Sequence, residues 1–190
     1  MRNNTHSTVR GRLAAALAGL ALATGAQAQQ PPRSPGLYLE AAQARHHGAE
    51  TDAWTLGLRV PTGWHGFQGS LTLAVDAYVS RWHAAALPGA RERFTQLGVV
   101  PMLRWRFDEG RSPWFVEAGI GGSYLLERYR TRAKEFGSRW NFSDHLGVGV
   151  NFGAHGRHEL GLYIKHVSNA GLVEPNPGET FYLLRYGVAL

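Results

Sequence analysis

The sequence predicts an all-β fold, an eight-stranded antiparallel transmembrane β-barrel. Three observations predict it. Apolar residues recur at every second position in eight separate stretches, no stretch beyond the N-terminal segment holds about 18 consecutive apolar residues, and the intervening segments alternate between short and long. With 190 residues, 44% hydrophobic and 18% charged, the chain suits one domain and carries too much apolar surface for disorder. The absence of cysteine excludes a disulfide framework, a thiolate metal site and a cysteine nucleophile.

Arg2, Arg10 and Arg12 precede an apolar run from Leu13 to Gly25 that ends in Ala26-Gln27-Ala28. This is the pattern of a secretory signal peptide over residues 1–28, too short for a comfortable membrane helix and without a stop-transfer flank. Its removal takes three of the 20 Lys and Arg residues and none of the 14 Asp and Glu, so the formal charge falls from +6 to +3. The exported chain is mildly basic and its basic residues sit in separate loops, which excludes a nucleic-acid stripe. Residues 29–35, with Pro31, Pro32 and Pro35, form a short leader, and residues 36–190 form the barrel.

The first stretch carries Leu37, Leu39 and Ala41; the second Trp54, Leu56, Leu58 and Val60; the third Leu71, Leu73, Val75, Ala77 and Val79. The fourth carries Leu97, Val99, Leu103, Trp105 and Phe107, and the fifth Trp114, Val116, Ala118 and Ile120. In the sixth, Trp140, Phe142, Leu146, Val148, Val150 and Phe152 share one parity while Gly147 and Gly149 take the other, as a narrow interior requires. The seventh carries Leu160, Leu162 and Ile164, and the last Tyr182, Leu184, Tyr186, Val188 and Leu190. Segments 61–67, 108–112 and 153–157 are short, whereas 82–93, 125–138 and 169–178 are longer, with 46–51 the exception. Short turns belong in the periplasm and long loops outside, so the seventh strand ends on the extracellular side of a bacterial outer membrane. Tyr38, Trp54, Trp82, Trp105, Trp114, Trp140 and Tyr186 near strand ends are expected to form interfacial girdles. A soluble barrel or sandwich is the competing fold.

In the seventh stretch His166 and Ser168 continue the parity of Leu160, Leu162 and Ile164, which places polar groups on the lipid face. Their Cβ atoms are expected about 6 to 7 Å apart on one side of the strand, near enough for an imidazole to act as base for a serine hydroxyl. An ionisable residue facing hydrocarbon is costly unless partnered or functional. The plain alternative is a strand end wetted by lipid headgroups.

The stretch from His166 to Glu179 (HVSNAGLVEPNPGE) resembles, in its HxSNxG start and PNxG turn, the signature of the outer-membrane lipid A 3-O-deacylase family, PagL. The signal peptide, the length and the eight stretches match that family over the whole chain. The resemblance implies an esterase that hydrolyses the 3-O-linked acyl chain of lipid A in lipopolysaccharide, with Ser168 as nucleophile, His166 as base and then acid, and Glu179 orienting the imidazole. Family members usually carry the acid one residue further beyond the turn glycine, where this chain has Thr180. By parity Glu179 points inward, so a bulge after Gly178 would be needed to bring it out, and Glu174 is the competing acid. Asn169, Asn176 and the backbone N–H of Gly171 are the expected oxyanion donors, or alternatively plain turn residues.

Arg128, Arg130, Arg132 and Lys134 share one long loop, with Arg81, Arg91 and Arg93 around another; they could bind lipid A phosphates or be neutralised by Glu92, Glu127 and Glu135. His46, His47, His65, His83, His145, His155 and His158 show no metal-ligand spacing, and no metal is expected. Gly119 to Gly122 lie within a strand pattern, which is the wrong setting for a phosphate loop. Acyl transfer of this kind requires no cofactor. The expected partners are lipopolysaccharide and outer-membrane lipids, with a homodimer left open. The alternatives are a non-enzymatic small barrel, adhesive or structural, and an outer-membrane acyl transferase.

Overall fold

A computed structural model describes residues 34–45, 50–84, 92–132 and 134–190. The signal-peptide segment, most of the leader, His46, His47 and Arg91 lie outside the described residues. Eight strands run in chain order: β1 Gly36–Ala44, β2 Thr51–Gly66, β3 Leu71–Ala84, β4 Arg93–Arg106, β5 Trp114–Leu125, β6 Trp140–Phe152, β7 His158–Ser168 and β8 Glu179–Ala189. Each pairs antiparallel with its neighbour, and β1 pairs with β8 (Gly36 opposite Ala189, Gln43 opposite Tyr182) to close the barrel. All eight alternating stretches lie on these strands, except that Phe107 and Leu190 fall one residue beyond β4 and β8.

The parity decides what faces where, and it runs opposite to a soluble protein. Leu39 is 57% exposed, Leu146 59% and Ile120 66%, whereas Glu40, Asp76, Glu117, Lys165 and Arg185 are buried. Apolar side chains cover the outside because hydrocarbon surrounds it, and the backbone polar groups are satisfied strand to strand around a closed ring with no edge. Among the described residues no helix is long and apolar enough to cross a membrane; the strands cross it.

Aromatic residues ring the outside at both ends: Trp54, Trp140 and Tyr182 at one, Trp64, Phe67, Trp105, Trp114 and Tyr186 at the other. Two expected girdle residues are not among them. Tyr38 is 4% exposed and Trp82 0%, because each sits on the opposite parity to the apolar row of its own strand and so points inward.

The lumen is filled through its middle and at its loop end. Glycines on the inner parity make room for rings from neighbouring strands: a Cβ at Gly147 would lie 2.1 Å from the Tyr163 ring, and one at Gly149 2.3 Å from that of Phe115. A polar layer occupies the middle, in which Arg185 donates to Glu40 (2.6 and 2.8 Å) and Asp76 (2.8 Å), Arg59 to Glu117 (2.6 and 3.1 Å), and Arg104 to Glu117 and Glu159 (both 2.7 Å). Above it lies an apolar layer of Trp82, Phe94, Tyr129, Phe136 and Phe181. Tyr129 and Phe136 come from the β5–β6 loop, which folds back as a small hairpin through the Arg130–Glu135 bridge and stoppers that end of the barrel.

Short turns at 67–70, 107–113 and 153–157 share one end with Gly36 and Ala189; the β1–β2, β3–β4, β5–β6 and β7–β8 connections share the other. Positive φ at Phe67, Gln68 and Gly69, at Asp108, Glu109 and Gly110, and at Gly153, His155 and Gly156 reverses the chain in these short turns.

Candidate active site

The β7–β8 connection is braced by its own asparagines. Asn169 Nδ2 donates to Val173 O (2.7 Å), its backbone N–H donates to Asn176 Oδ1 (3.0 Å), and Asn176 N–H donates to Glu174 Oε2 (2.9 Å). Ala170 and Gly171 both take positive φ, 55° and 77°. The connection is also held from outside. Gly137 of the β5–β6 loop donates its N–H to Pro175 O (2.7 Å), and a Cβ on Gly137 would lie 2.4 Å from Glu174 O.

His166 and Ser168 stand half-buried on the outer face at the loop end of β7. Gly178 folds over both: a Cβ there would meet His166 Cε1 at 2.7 Å, Nε2 at 3.0 Å and Ser168 Cβ at 3.6 Å. Its φ of 63° also calls for glycine. One point under this residue therefore gathers the Nε2 edge of the imidazole and the base of the serine. The other ring nitrogen, Nδ1, is hydrogen-bonded to Thr180 Oγ1 at 2.8 Å.

Glu179 is not part of this group. The register runs without a bulge, His166 opposite Thr180 and Val167 opposite Glu179, so Glu179 points into the barrel and is fully buried. There its carboxylate accepts from Tyr129 Oη (2.8 Å) and pairs with Lys134 Nζ (3.2 Å), while Lys134 also donates to Gly178 O (2.7 Å). Burial and the adjoining carboxylate push the Tyr129 phenol well above its ordinary range, so it remains a donor to Glu179. Glu179 with Lys134 thus anchors the backbone that holds Gly178 over the histidine. Glu174 is exposed and turned to its own connection.

A different carboxylate shares the outer face. Asp144 of β6 is directly opposite His166, as Phe142 is opposite Ser168, and is half-buried on the same side. Directly opposed residues hold their Cβ atoms about 4.5 to 5.5 Å apart. The sequence signal for it was the gap in the apolar row of β6, where Trp140, Phe142, Leu146 and Val148 skip position 144.

The long-loop arginines are only partly available. Arg128, Arg130 and Arg132 are all exposed, and Arg130 is hydrogen-bonded to Glu135 at 2.6 Å, which holds that carboxyl below its usual range.

The family model described as Lipid A 3-O-deacylase (PagL) matches residues 52–189. Lipid A deacylase PagL of Bordetella bronchiseptica is 35% identical over 173 residues, covering 88% of this chain and 89% of that protein. The protein of the same name from Pseudomonas aeruginosa is 33% identical over 127 residues, covering 67% and 70%. The crystal structure of the outer membrane enzyme PagL superposes with a TM-score of 0.64 at 27% identity, covering 80% of this chain and 99% of that one. Neisserial surface protein A shares the fold at 12% identity, with a TM-score of 0.50, covering 82% of this chain and 96% of its own. With its closed barrel and with most of its length matched, the chain belongs to the lipid A 3-O-deacylase (PagL) family of outer-membrane enzymes.

Proposed function

We propose that the chain hydrolyses the 3-O-linked acyl ester of lipid A from within the outer leaflet, with Ser168 as nucleophile and His166 as base, releasing a 3-hydroxy fatty acid. One observation carries the reading: both side chains open sideways from the barrel wall at the loop end of β7, under Gly178. In outer-membrane barrels long loops lie outside and short turns in the periplasm, which sets this level at the leaflet that holds lipopolysaccharide. An acyl ester then reaches the serine laterally.

With its proton on Nδ1 and donated to Thr180 Oγ1, His166 offers the Nε2 lone pair to the Ser168 hydroxyl. Serine Oγ attacks the ester carbonyl, the bond from carbonyl carbon to the sugar 3-oxygen breaks, and the imidazolium returns the proton to that oxygen. Water, losing its proton to His166, then hydrolyses the acyl-serine. Thr180 orients the ring, and Asp144 supplies the negative charge that opposes the imidazolium, the part expected of Glu179. The Asn169 amide is committed to Val173 O, so the oxyanion falls to the backbone N–H of Gly171 and the Asn176 amide. Arg128 and Arg132, with Arg130 behind its ion pair, face the lipid A phosphates.

The test is the lipid A mass spectrum of cells expressing wild type or Ser168→Ala. Wild type should remove one 3-hydroxyacyl mass and yield free fatty acid, and the alanine variant should leave lipid A intact. Equal loss with both would sink the serine mechanism, and a heavier acceptor lipid in place of free acid would mark transfer.

A further inference from the structure

At the turn end the lumen opens into a cavity of about 800 Å3 whose lining includes Arg59, Arg104, Arg106, Asn151, Arg157 and Glu159. Its charges do not balance. Among the described residues the lumen between this mouth and the apolar layer holds five cations, Arg59, Arg104, Arg106, Lys165 and Arg185, against four carboxylates, Glu40, Asp76, Glu117 and Glu159. Each carboxylate already serves two or more cations: Glu40 takes Arg185 and Lys165, Asp76 takes Arg185 and Arg59, Glu117 takes Arg59 and Arg104, and Glu159 takes Arg104 and Arg59.

Arg106 is the cation left over. It is 2% exposed, and its guanidinium donates only to neutral acceptors, Asn151 Oδ1 at 2.7 Å and Ser112 O at 3.4 Å. Its Nε has no hydrogen-bond partner among the described residues, and neither has Nη2 of Arg104 two positions earlier on the same face. Both guanidinium carbons stack on one ring, Phe115, at 3.6 Å for Arg104 and 5.4 Å for Arg106. A buried cation without a counter-ion and two unused, buried N–H donors on side chains that line the same cavity are the features of an incomplete oxyanion site.

We infer that this cavity binds a small oxyanion, a phosphate or carboxylate group, between Arg104 and Arg106. The site lies at the opposite end of the barrel from His166 and Ser168, with the stoppered polar layer between, so it is separate from the esterase site. The occupant enters from the side of the short turns, the periplasmic side.

The experiment titrates the refolded full-length barrel with sodium phosphate, sodium acetate or sodium chloride at constant ionic strength, following heat and thermal midpoint. Phosphate or acetate should bind saturably and raise the midpoint, and Arg106→Gln should weaken that binding at least tenfold while lipid A deacylation stays at the wild-type rate. Glycerol 3-phosphate and short-chain phosphatidylglycerol form a further pair of arms, separating a free anion from a lipid headgroup as the source. If neither oxyanion binds, if chloride acts equally, or if Arg106→Gln binds as tightly as wild type, the inference is overturned. If that variant fails to refold, the Nε–Hε NMR signals of wild-type arginines give the same answer. Saturable movement of the Arg106 signal with phosphate supports the site, and a static signal overturns it.

Discussion

Thr180 stands where the family resemblance places an acid, and it gives His166 a hydrogen bond without a charge. In the proposed mechanism a hydroxyl fixes the tautomer but does little for an imidazolium formed in a low-dielectric wall, so the charge role goes to Asp144, opposite His166 on that face. Asp144→Asn should lower kcat on lipid A by about 100-fold with little change in KM, since it removes charge and leaves shape. Thr180→Glu placed in that background should recover much of the loss. An unchanged kcat in Asp144→Asn would remove the residue from the mechanism. His166 and Ser168 were legible in the sequence because polar residues broke an apolar parity, and Asp144 broke its own row in the same way. What the sequence could not show is that positions 144 and 166 are opposite one another, since that depends on the β6–β7 register. Glu179 illustrates the converse: its inward parity was readable, and the register keeps it there, bonded to Tyr129 and Lys134.

At the level of elements, the eight strands followed from period-two alternation because each has one face to hydrocarbon and one to a crowded lumen. The β5–β6 loop was a different case. Its arginines suggested a segment outside the barrel, either binding lipid A phosphates or neutralised by neighbouring glutamates, yet Tyr129 and Phe136 dive into the barrel and Gly137 and Lys134 clasp the β7–β8 connection. No local periodicity encodes a loop that folds onto another loop. Under the proposed mechanism this clasp has a catalytic consequence, because it holds the backbone over His166. Gly137→Ala puts a methyl against the main chain of Glu174 and Pro175, which must move. Deacylation should fall by about 100-fold, the typical effect of displacing a site by an ångström, while the denaturant midpoint of the barrel barely changes. A variant as active as wild type would show that the connection keeps its shape unaided.

For the molecule as a whole, the interior is held by ion pairs and the exterior by lipid, so the stability of the barrel rests on each lumen carboxylate keeping the cations it pairs with. Glu40 accepts two hydrogen bonds from Arg185 and lies 3.7 Å from Lys165. Glu40→Gln leaves those cations under-compensated in a dry layer and should cost about 3–5 kcal/mol, read as a lower urea midpoint for the barrel refolded in vesicles. A midpoint equal to wild type would mean that water enters the layer. The same filled lumen has a kinetic corollary. A catalyst whose reactive groups meet only the surrounding film works in two dimensions, so its turnover should follow the mole fraction of substrate among its neighbouring amphiphiles rather than the amount dispersed in the vessel. Diluting the film with inert lipid should slow it even when total substrate is held constant.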